Sequence, residues 1–106
     1  MLIVETPVFT KRVLETLTDD EHRELQHFKV QHPDAGNIIP GSQGLRKLRW
    51  TILGKGKRGG TRIIYYYWLK PRETILMLFV FKKNERSDLT KDQLKILKAI
   101  AAKELR

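Results

Sequence analysis

Cysteine is absent from the 106 residues, and its absence excludes several kinds of chemistry at once. Disulfide bonds, a catalytic thiolate and metal sites built on cysteine are excluded, as is common in a reducing cytoplasm. Long apolar runs are missing too, since the longest, IIYYYWL and ILMLFVF, have seven residues each. A membrane-spanning helix needs roughly 20. We therefore expect a cytoplasmic protein that makes no use of a membrane.

The N-terminus has no recognisable export signal. It reaches Glu5 early and lacks both a basic start and a long apolar segment. The length fits one domain, because a chain of this size buries roughly two thirds of its unfolded surface and can build a core without cross-links. Residues 1–106 are therefore expected to form a single domain.

Acidic residues are missing between Ala35 and Arg72, although the chain contains 12 in total. The net charge of +9 is therefore concentrated in one third of the sequence. Dispersed charges would serve solubility equally well, whereas a concentrated positive charge favours binding to a phosphate backbone. The cations of this stretch are Arg46, Lys47, Arg49, Lys55, Lys57, Arg58, Arg62, Lys70 and Arg72.

Two helices are predicted near the N-terminus. Pro7 suits the first turn of a helix, and apolar residues follow it at helical spacing as far as Leu17. Thr18 and Glu21 form a capping box that begins the second helix, which we expect to end near His32, before a proline.

Strand patterns occupy the middle of the chain. The candidates are Leu45–Leu53, Thr61–Lys70 and Thr74–Lys82, after a short possible strand at Leu2–Glu5 and a turn-rich loop at Pro33–Gly44. Short connections make the three central strands an antiparallel meander. A last helix follows the capping box of Thr90 and Gln93, with an apolar stripe at Leu94, Leu97, Ala101 and Leu105. The sequence therefore predicts a compact α+β domain.

The two-residue period of a strand assigns side chains to faces of this sheet. On the first long strand, Lys47 and Arg49 share one face, and Arg46, Leu48 and Trp50 share the other. On the next strand, Arg62 shares a face with Ile64, Tyr66 and Trp68. A guanidinium beside aromatic rings suits single-stranded RNA. We expect Tyr66 near solvent, and Tyr65, Tyr67 and Trp68 in the core.

The segment GKGKRGG, residues 54–60, separates two strand candidates. It is either a flexible hairpin loop kept soluble by its lysines or part of a polyanion site. The spacing of a nucleotide-binding P-loop is missing and a helix does not follow, so that function is excluded.

A second basic segment, FKKNERSDLT, joins the last strand to the last helix. Its cations are ordinary solvated charges if they are considered alone, with Ser87 and Asp88 in the turn before the helix. If the strands are neighbours, however, Lys83 and Asn84 approach Arg62 and Lys47, and several donors converge on one point.

Three segments, GLRKLRW, GKGKRGGTRIIYYY and FKKNERSDLT, resemble the RelE/HigB superfamily of bacterial toxins, particularly its HigB-like branch. The similarity extends from about Pro7 to the last helix. It implies a small RelE-like α+β fold and a metal-independent endoribonuclease that cleaves mRNA in the A site of the 70S ribosome and so inhibits translation. It also implies neutralisation by a cognate antitoxin protein.

The resemblance places catalytic roles on Lys47, Arg62, Lys83 and Asn84. The pattern departs from RelE itself at Asn84, where RelE has an arginine, and at Thr90, where it has a tyrosine. Crowding by other cations would make Lys47 or Lys57 a weak general base. Contacts with RNA or the ribosome are expected from Arg46, Arg49, Lys55, Lys57, Arg58, Tyr66, Lys82 and Arg86.

No metal or other cofactor is expected. His22, His27 and His32 are five residues apart, so successive rings lie about 140° apart around a helix and do not share a face. We expect them to be exposed. The alternative function is a noncatalytic one, either nucleic-acid binding alone or poisoning of DNA gyrase by a ParE-like relative, for which the convergent Lys47, Arg62 and Lys83 are not expected.

Overall fold

The computed structural model describes residues 1–50, 60–83, 85 and 88–104. The predicted α+β fold is confirmed. None of the helices in these ranges is both long enough and apolar enough to cross a membrane. The elements in chain order are β1 (Leu2–Glu5), α1 (Pro7–Thr16), α2 (Asp19–Gln31), β2 (Asn37–Ile38), β3 (Arg46–Trp50), β4 (Thr61–Trp68), β5 (Thr74–Lys82) and α3 (Lys91–Glu104).

The helices begin where the sequence predicts. Pro7 occupies the first turn of α1, after Thr6 as N-cap. The capping box at the start of α2 is formed in both directions, since Glu21 N–H donates to the Thr18 hydroxyl and Thr18 N–H donates to the Glu21 carboxylate. The same exchange between Thr90 and Gln93 begins α3. These reciprocal bonds satisfy N–H groups that have no partner within the helix.

The sheet contains five strands in the order β1-β5-β4-β3-β2. The predicted antiparallel meander is confirmed for β3, β4 and β5. The expected loop at Pro33–Gly44 also contains β2, which pairs antiparallel with β3. On the other edge, β1 pairs parallel with β5, so the complete sheet is mixed. Strand periodicity encodes neither edge, because β1 pairs with a strand distant in sequence and β2 has only two residues.

Both faces of the sheet are covered by helices. On one face, α1 and α2 pack through Phe9, Val13 and Leu25 against Leu48 and Ile63 of the sheet. We call this the α1–α2 face. On the other face, α3 packs through residues including Leu97 and Ala101 against Leu45, Ile64, Leu76, Leu78 and Phe81, and we call this the α3 face. Each face therefore has an apolar core, and polar residues on either face lie beyond the area that the helices cover.

One of the three histidines departs from its expected position. His22 is only partly exposed, because its Nε2 lies 2.6 Å from the Glu5 Oε2 on β1. His27 and His32 are exposed, as predicted. Across the described ranges, no group of three or more histidine or acidic side chains is arranged to hold a metal ion.

Lys29 on α2 is completely buried. Its ammonium nitrogen lies 3.3 Å from the centroid of the Tyr65 ring and 3.4 Å from the Pro33 carbonyl oxygen, to which it donates. The pKa of Lys29 is lowered to about 7, chiefly by burial and also by the charge of Arg46, while Asp34 opposes the shift. The folded protein therefore binds this proton less tightly than the unfolded chain.

We predict that Lys29 makes the stability of the fold depend on pH. The unfolded chain keeps this proton up to a pH near 10.5, whereas the folded protein loses it near 7. Raising the pH across this window therefore favours the folded state. Relative to Lys29→Met, the wild type should gain roughly 3 kcal/mol in the free energy of unfolding between pH of about 7 and about 9.5.

Urea unfolding at each pH measures this difference. Lys11→Met replaces an exposed lysine of α1 and is the matched control, for which the difference from wild type should stay constant. A wild type and a Lys29→Met variant whose stabilities run parallel across the window would contradict the prediction.

Candidate nucleic-acid interface

Three cations of β3 are divided between the two faces of the sheet. Lys47 lies opposite Ile64 of β4, and Arg49 lies opposite Arg62, so Lys47, Arg49 and Arg62 share the α3 face. Lys47 and Arg49 are two residues apart, about 6.6 Å along the strand. Arg46 lies opposite Tyr65, on the α1–α2 face. The alternation predicted for this strand is therefore confirmed.

Arg49 and Arg62 form a cross-strand pair of like charges. Directly opposite residues on antiparallel strands have Cβ atoms about 5 Å apart, and like charges at this distance destabilise the sheet. Arg49 is exposed and Arg62 is partly exposed, so both guanidinium groups are accessible to a ligand. An anion placed between them would turn a repulsive pair into an attractive site.

Asp88 enters this group of cations from the turn before α3. Its Oδ2 accepts a hydrogen bond of 3.2 Å from the ammonium of Lys47, 41 residues earlier in the chain. Partial burial opposes its ionisation, but bonds from Leu89 N–H and Lys47, together with the charges of Lys47 and Arg62, lower the pKa of Asp88. A carboxylate is therefore held, in its ionised form, among the cations.

Lys47, Arg49 and Asp88 border an open hollow of about 510 Å³, which Arg62 does not line. One side is the β3 backbone with Lys47 and Arg49, and Asp88 closes part of the rim. The opposite side is formed by residues 36–40, which include β2 and which we call the wall. Gly36 fits closely here, with a φ of +90° and a hypothetical Cβ only 2.6 Å from the Lys47 carbonyl oxygen. The hollow is thus bordered by the wall on one side and by Lys47, Arg49 and Asp88 on the other.

The end of β5 brings two further predicted residues to this region. The N–H of Lys83 donates to the Gly60 carbonyl at 3.2 Å, which places the Lys83 backbone beside the start of β4, two residues before Arg62. Lys82 lies opposite Thr61, one position away, and is exposed. Because neighbouring residues of a strand point to opposite faces, Lys82 lies on the α1–α2 face, away from Arg62.

Tyr66 shares the α3 face with Arg62, as predicted, but it is only partly exposed. Its ring is 5.5 Å from that of Trp68 and borders a small cavity beneath α3 with Lys98 and Ala101. It lies four residues along β4 from Arg62, about 13 Å away. Tyr65 is fully buried, as expected for a core residue, and Tyr67 and Trp68 are partly buried. The aromatic residues therefore support α3 and do not line the hollow.

Arg46 does not join the other cations. Its guanidinium donates to the carbonyl oxygens of Asp34 and Gly36, at 3.0 and 3.3 Å. The contact with RNA expected for Arg46 stays a prediction that this position does not favour, and the same holds for Lys82. The five remaining predicted residues lie outside the described part of the chain: Lys55, Lys57, Arg58, Asn84 and Arg86.

Two components of the site were missed by reasoning from the sequence. Asp88 was assigned to a turn, although its position before a capping box could have placed it at the start of α3, near the sheet. The wall belongs to the segment that the sequence predicts as a turn-rich loop, and the sequence predicts no part in the site for it. The proposed base Lys47 also has an unexpected partner, because its ammonium is paired with a carboxylate and not only surrounded by cations.

The arrangement suits a phosphodiester. Lys47, Arg49 and Arg62 supply donors on one face, the Lys83 backbone lies beside the start of β4, and Asp88 is a proton acceptor at the rim. A family model described as the RelE toxin of the RelE / RelB toxin–antitoxin system matches residues 39–106, close to two thirds of the chain. The match covers β3, β4, β5, α3 and the turn before α3, and so includes Lys47, Arg49, Arg62 and Asp88. The chain belongs to the RelE toxin family.

Proposed function

We propose that this protein is a ribosome-dependent mRNA endonuclease of the HigB-like branch, which stops translation by cutting mRNA in the A site of the 70S ribosome. It acts in the cytoplasm, and a cognate antitoxin protein neutralises it. The observation that carries the proposal is the like-charged pair of Arg49 and Arg62 on the open α3 face, next to Lys47 and Asp88. Membership of a toxin family that is generally endoribonucleolytic supports it.

In this proposal the cations bind the scissile phosphate and the one beside it. Arg49 and Arg62 have forked donors that match phosphate oxygens, and their mutual repulsion is relieved when an anion lies between them. Arg62 and Lys83 stabilise the negative charge that grows on the non-bridging oxygens as the phosphorus becomes five-coordinate. The adjacent strands hold these groups in place before the substrate arrives.

The substrate supplies its own nucleophile, the 2′-hydroxyl of RNA. We assign Asp88 as the acceptor of its proton and Lys47 as a phosphate ligand, because the Lys47 nitrogen already donates to an anionic oxygen, that of Asp88. The 2′-oxygen attacks phosphorus, a 2′,3′-cyclic phosphate forms, and the bond to the 5′-oxygen breaks. The 5′-oxygen then takes a proton from water. Asn84, also predicted to be catalytic, has no assigned step.

A carboxylate whose pKa is lowered is a weak base, so this site is slow without help. The ribosome provides that help by holding the mRNA with its 2′-oxygen in line with the 5′-oxygen, where orientation contributes most to the rate. Dependence on the ribosome is therefore the expected consequence of a site that binds phosphate well and abstracts protons poorly.

We predict that Arg62→Ala reduces mRNA cleavage on ribosomes by roughly 10²–10³-fold, the usual loss when one donor to a developing oxyanion is removed. The fold should remain intact, because Arg62 is partly exposed and its removal relieves the like-charge repulsion with Arg49 across the strands. Primer extension on mRNA from cells in which the protein is induced measures the cleavage, and circular dichroism checks the fold.

Lys11→Ala is the matched control, since it removes an exposed cation from α1, on the opposite face of the sheet. It should cut mRNA as the wild type does. Full activity in a folded Arg62→Ala variant would refute the proposed site. Intact mRNA together with DNA breaks in cells that produce the wild type would instead support the gyrase-poisoning alternative.

A second prediction concerns the carboxylate. Asp88→Asn should bind a short single-stranded RNA more tightly than the wild type, because Lys47 is released from its ion pair and a repulsive charge is removed. The slope of log K against log salt should steepen by up to about 0.7, the value for one additional phosphate contact on a single strand. The same variant should cleave mRNA more slowly, because it lacks the proton acceptor.

Fluorescence anisotropy at several salt concentrations measures the binding. Asp20→Asn is the control, because it makes the same change in net charge at an exposed position on α2. Unchanged affinity in Asp88→Asn would show that Lys47 does not compete between carboxylate and phosphate. Undiminished cleavage would exclude Asp88 as the base.

A further inference from the structure

Four consecutive backbone carbonyl groups, of residues 33–36, accept hydrogen bonds from side chains of three different elements. The donors are Lys29 of α2, Arg46 of β3 and Tyr65 of β4. The bonds run from Lys29 Nζ to Pro33 at 3.4 Å, from Arg46 Nη1 to Asp34 and Gly36 at 3.0 and 3.3 Å, and from the Tyr65 hydroxyl to Ala35.

This arrangement is costly for the fold. Carbonyl groups that follow a helix are usually satisfied by water or by local backbone bonds. Here Lys29 and Tyr65 are both completely buried, and burial lowers the pKa of the first and raises the pKa of the second. A lysine buried only to fill space would be replaced by an apolar side chain at lower cost. We therefore infer that these three donors fix the position of the carbonyl groups of residues 33–36.

The segment that they hold continues directly into the wall of the hollow. Residues 36–40 follow, and β2 within them has only two residues. Two-residue pairing is weak on its own, since strands in stable sheets are usually longer. Beyond it, the Ile39 N–H bond to the Leu45 carbonyl is the next backbone tie between the wall and the start of β3. The carbonyl bonds of residues 33–36 anchor the other end of the wall.

We propose that Lys29, Arg46 and Tyr65 are positioning residues that hold the 33–36 segment and thereby set the distance between the wall and the cations Lys47 and Arg49. The three act from the α1–α2 face on a hollow that opens on the α3 face. They touch no substrate. The proposal deepens the proposed function. Its effect on the cleavage rate depends on that function, whereas its effect on the position of the wall does not.

Tyr65→Phe tests it with the smallest change, because the ring stays in the core and only the bond to Ala35 is lost. Tyr67→Phe is the matched control, since it removes a hydroxyl from the same strand, one that donates to Glu73 at 2.7 Å near the β4–β5 turn. Gly36→Ala is the positive control, because its added Cβ would displace the wall from the Lys47 carbonyl.

The first measurement is the backbone amide spectrum by nuclear magnetic resonance. Tyr65→Phe should shift the amides of residues 37–39, as Gly36→Ala does, whereas Tyr67→Phe should leave them unchanged. If the amides of 37–39 in Tyr65→Phe match the wild type, the proposal is overturned. This measurement needs neither RNA nor a ribosome, so it remains decisive if the proposed function is wrong.

The second measurement is mRNA cleavage at increasing ribosome concentration. A misplaced wall should lower the maximal rate of Tyr65→Phe by roughly tenfold or more while the half-saturating ribosome concentration changes by less than about twofold. Tyr67→Phe should keep both values. If the wild type and Tyr65→Phe cleave mRNA equally fast, the proposal is overturned. If the wild type does not cleave mRNA at all, only the proposed function is overturned.

Arg46 provides an independent variant if Tyr65→Phe does not fold, because its guanidinium lies at the surface. Arg46→Met keeps the aliphatic part of the side chain and should cause the same amide shifts and the same loss of maximal rate. Arg46→Lys keeps a charged donor and should recover part of both. Equal behaviour of Arg46→Met and Arg46→Lys would show that the effect is not the hydrogen bond.

Discussion

The pairing register between β3 and β4 is the constraint on which the rest of the molecule depends. Leu48 and Ile63 lie opposite each other and are buried against α1 and α2, and burial of each contributes about 1.5–3 kcal/mol. The same register places Arg49 against Arg62, a repulsion of about 0.2–1 kcal/mol. Core burial therefore outweighs the repulsion, and a slip of one residue, which would separate the arginines, would also expose the core.

The two faces of β3 use the same kind of side chain for different purposes. Arg46, on the α1–α2 face, donates from its Nη1 to two of the protein's own carbonyl groups. Arg49, on the α3 face, is exposed, and its cross-strand neighbour is another arginine. One strand thus carries both a structural guanidinium, that of Arg46, and one that is available to a ligand, that of Arg49. Net charge alone does not distinguish them, because both contribute equally to the total of +9.

Local signals predicted most of the fold, since capping boxes, Pro7 and the period of the central strands are encoded by neighbouring residues. The parallel pairing of β1 was not predictable in this way, because its partner β5 is remote in sequence, and β2, with only two residues, is too short to show a strand period. For the site, alternation correctly grouped Lys47, Arg49 and Arg62. It did not reveal the contact of Asp88 with Lys47, which forms because α3 begins beside the sheet. It also did not reveal the partners of Arg46, because these are backbone carbonyl groups, which every residue type has.

The ion pair between Asp88 and Lys47 reduces the anion affinity that the concentration of positive charge predicts. No acid occurs between Ala35 and Arg72 in the sequence, yet folding brings a carboxylate from outside that stretch into contact with Lys47. An incoming phosphate must therefore replace an existing ion pair, and not merely the water around a free ammonium. The net gain in binding is therefore smaller than for a free ammonium. Under the proposed function, free RNA would bind less tightly than the charge predicts, and the site would favour mRNA that a ribosome holds in place.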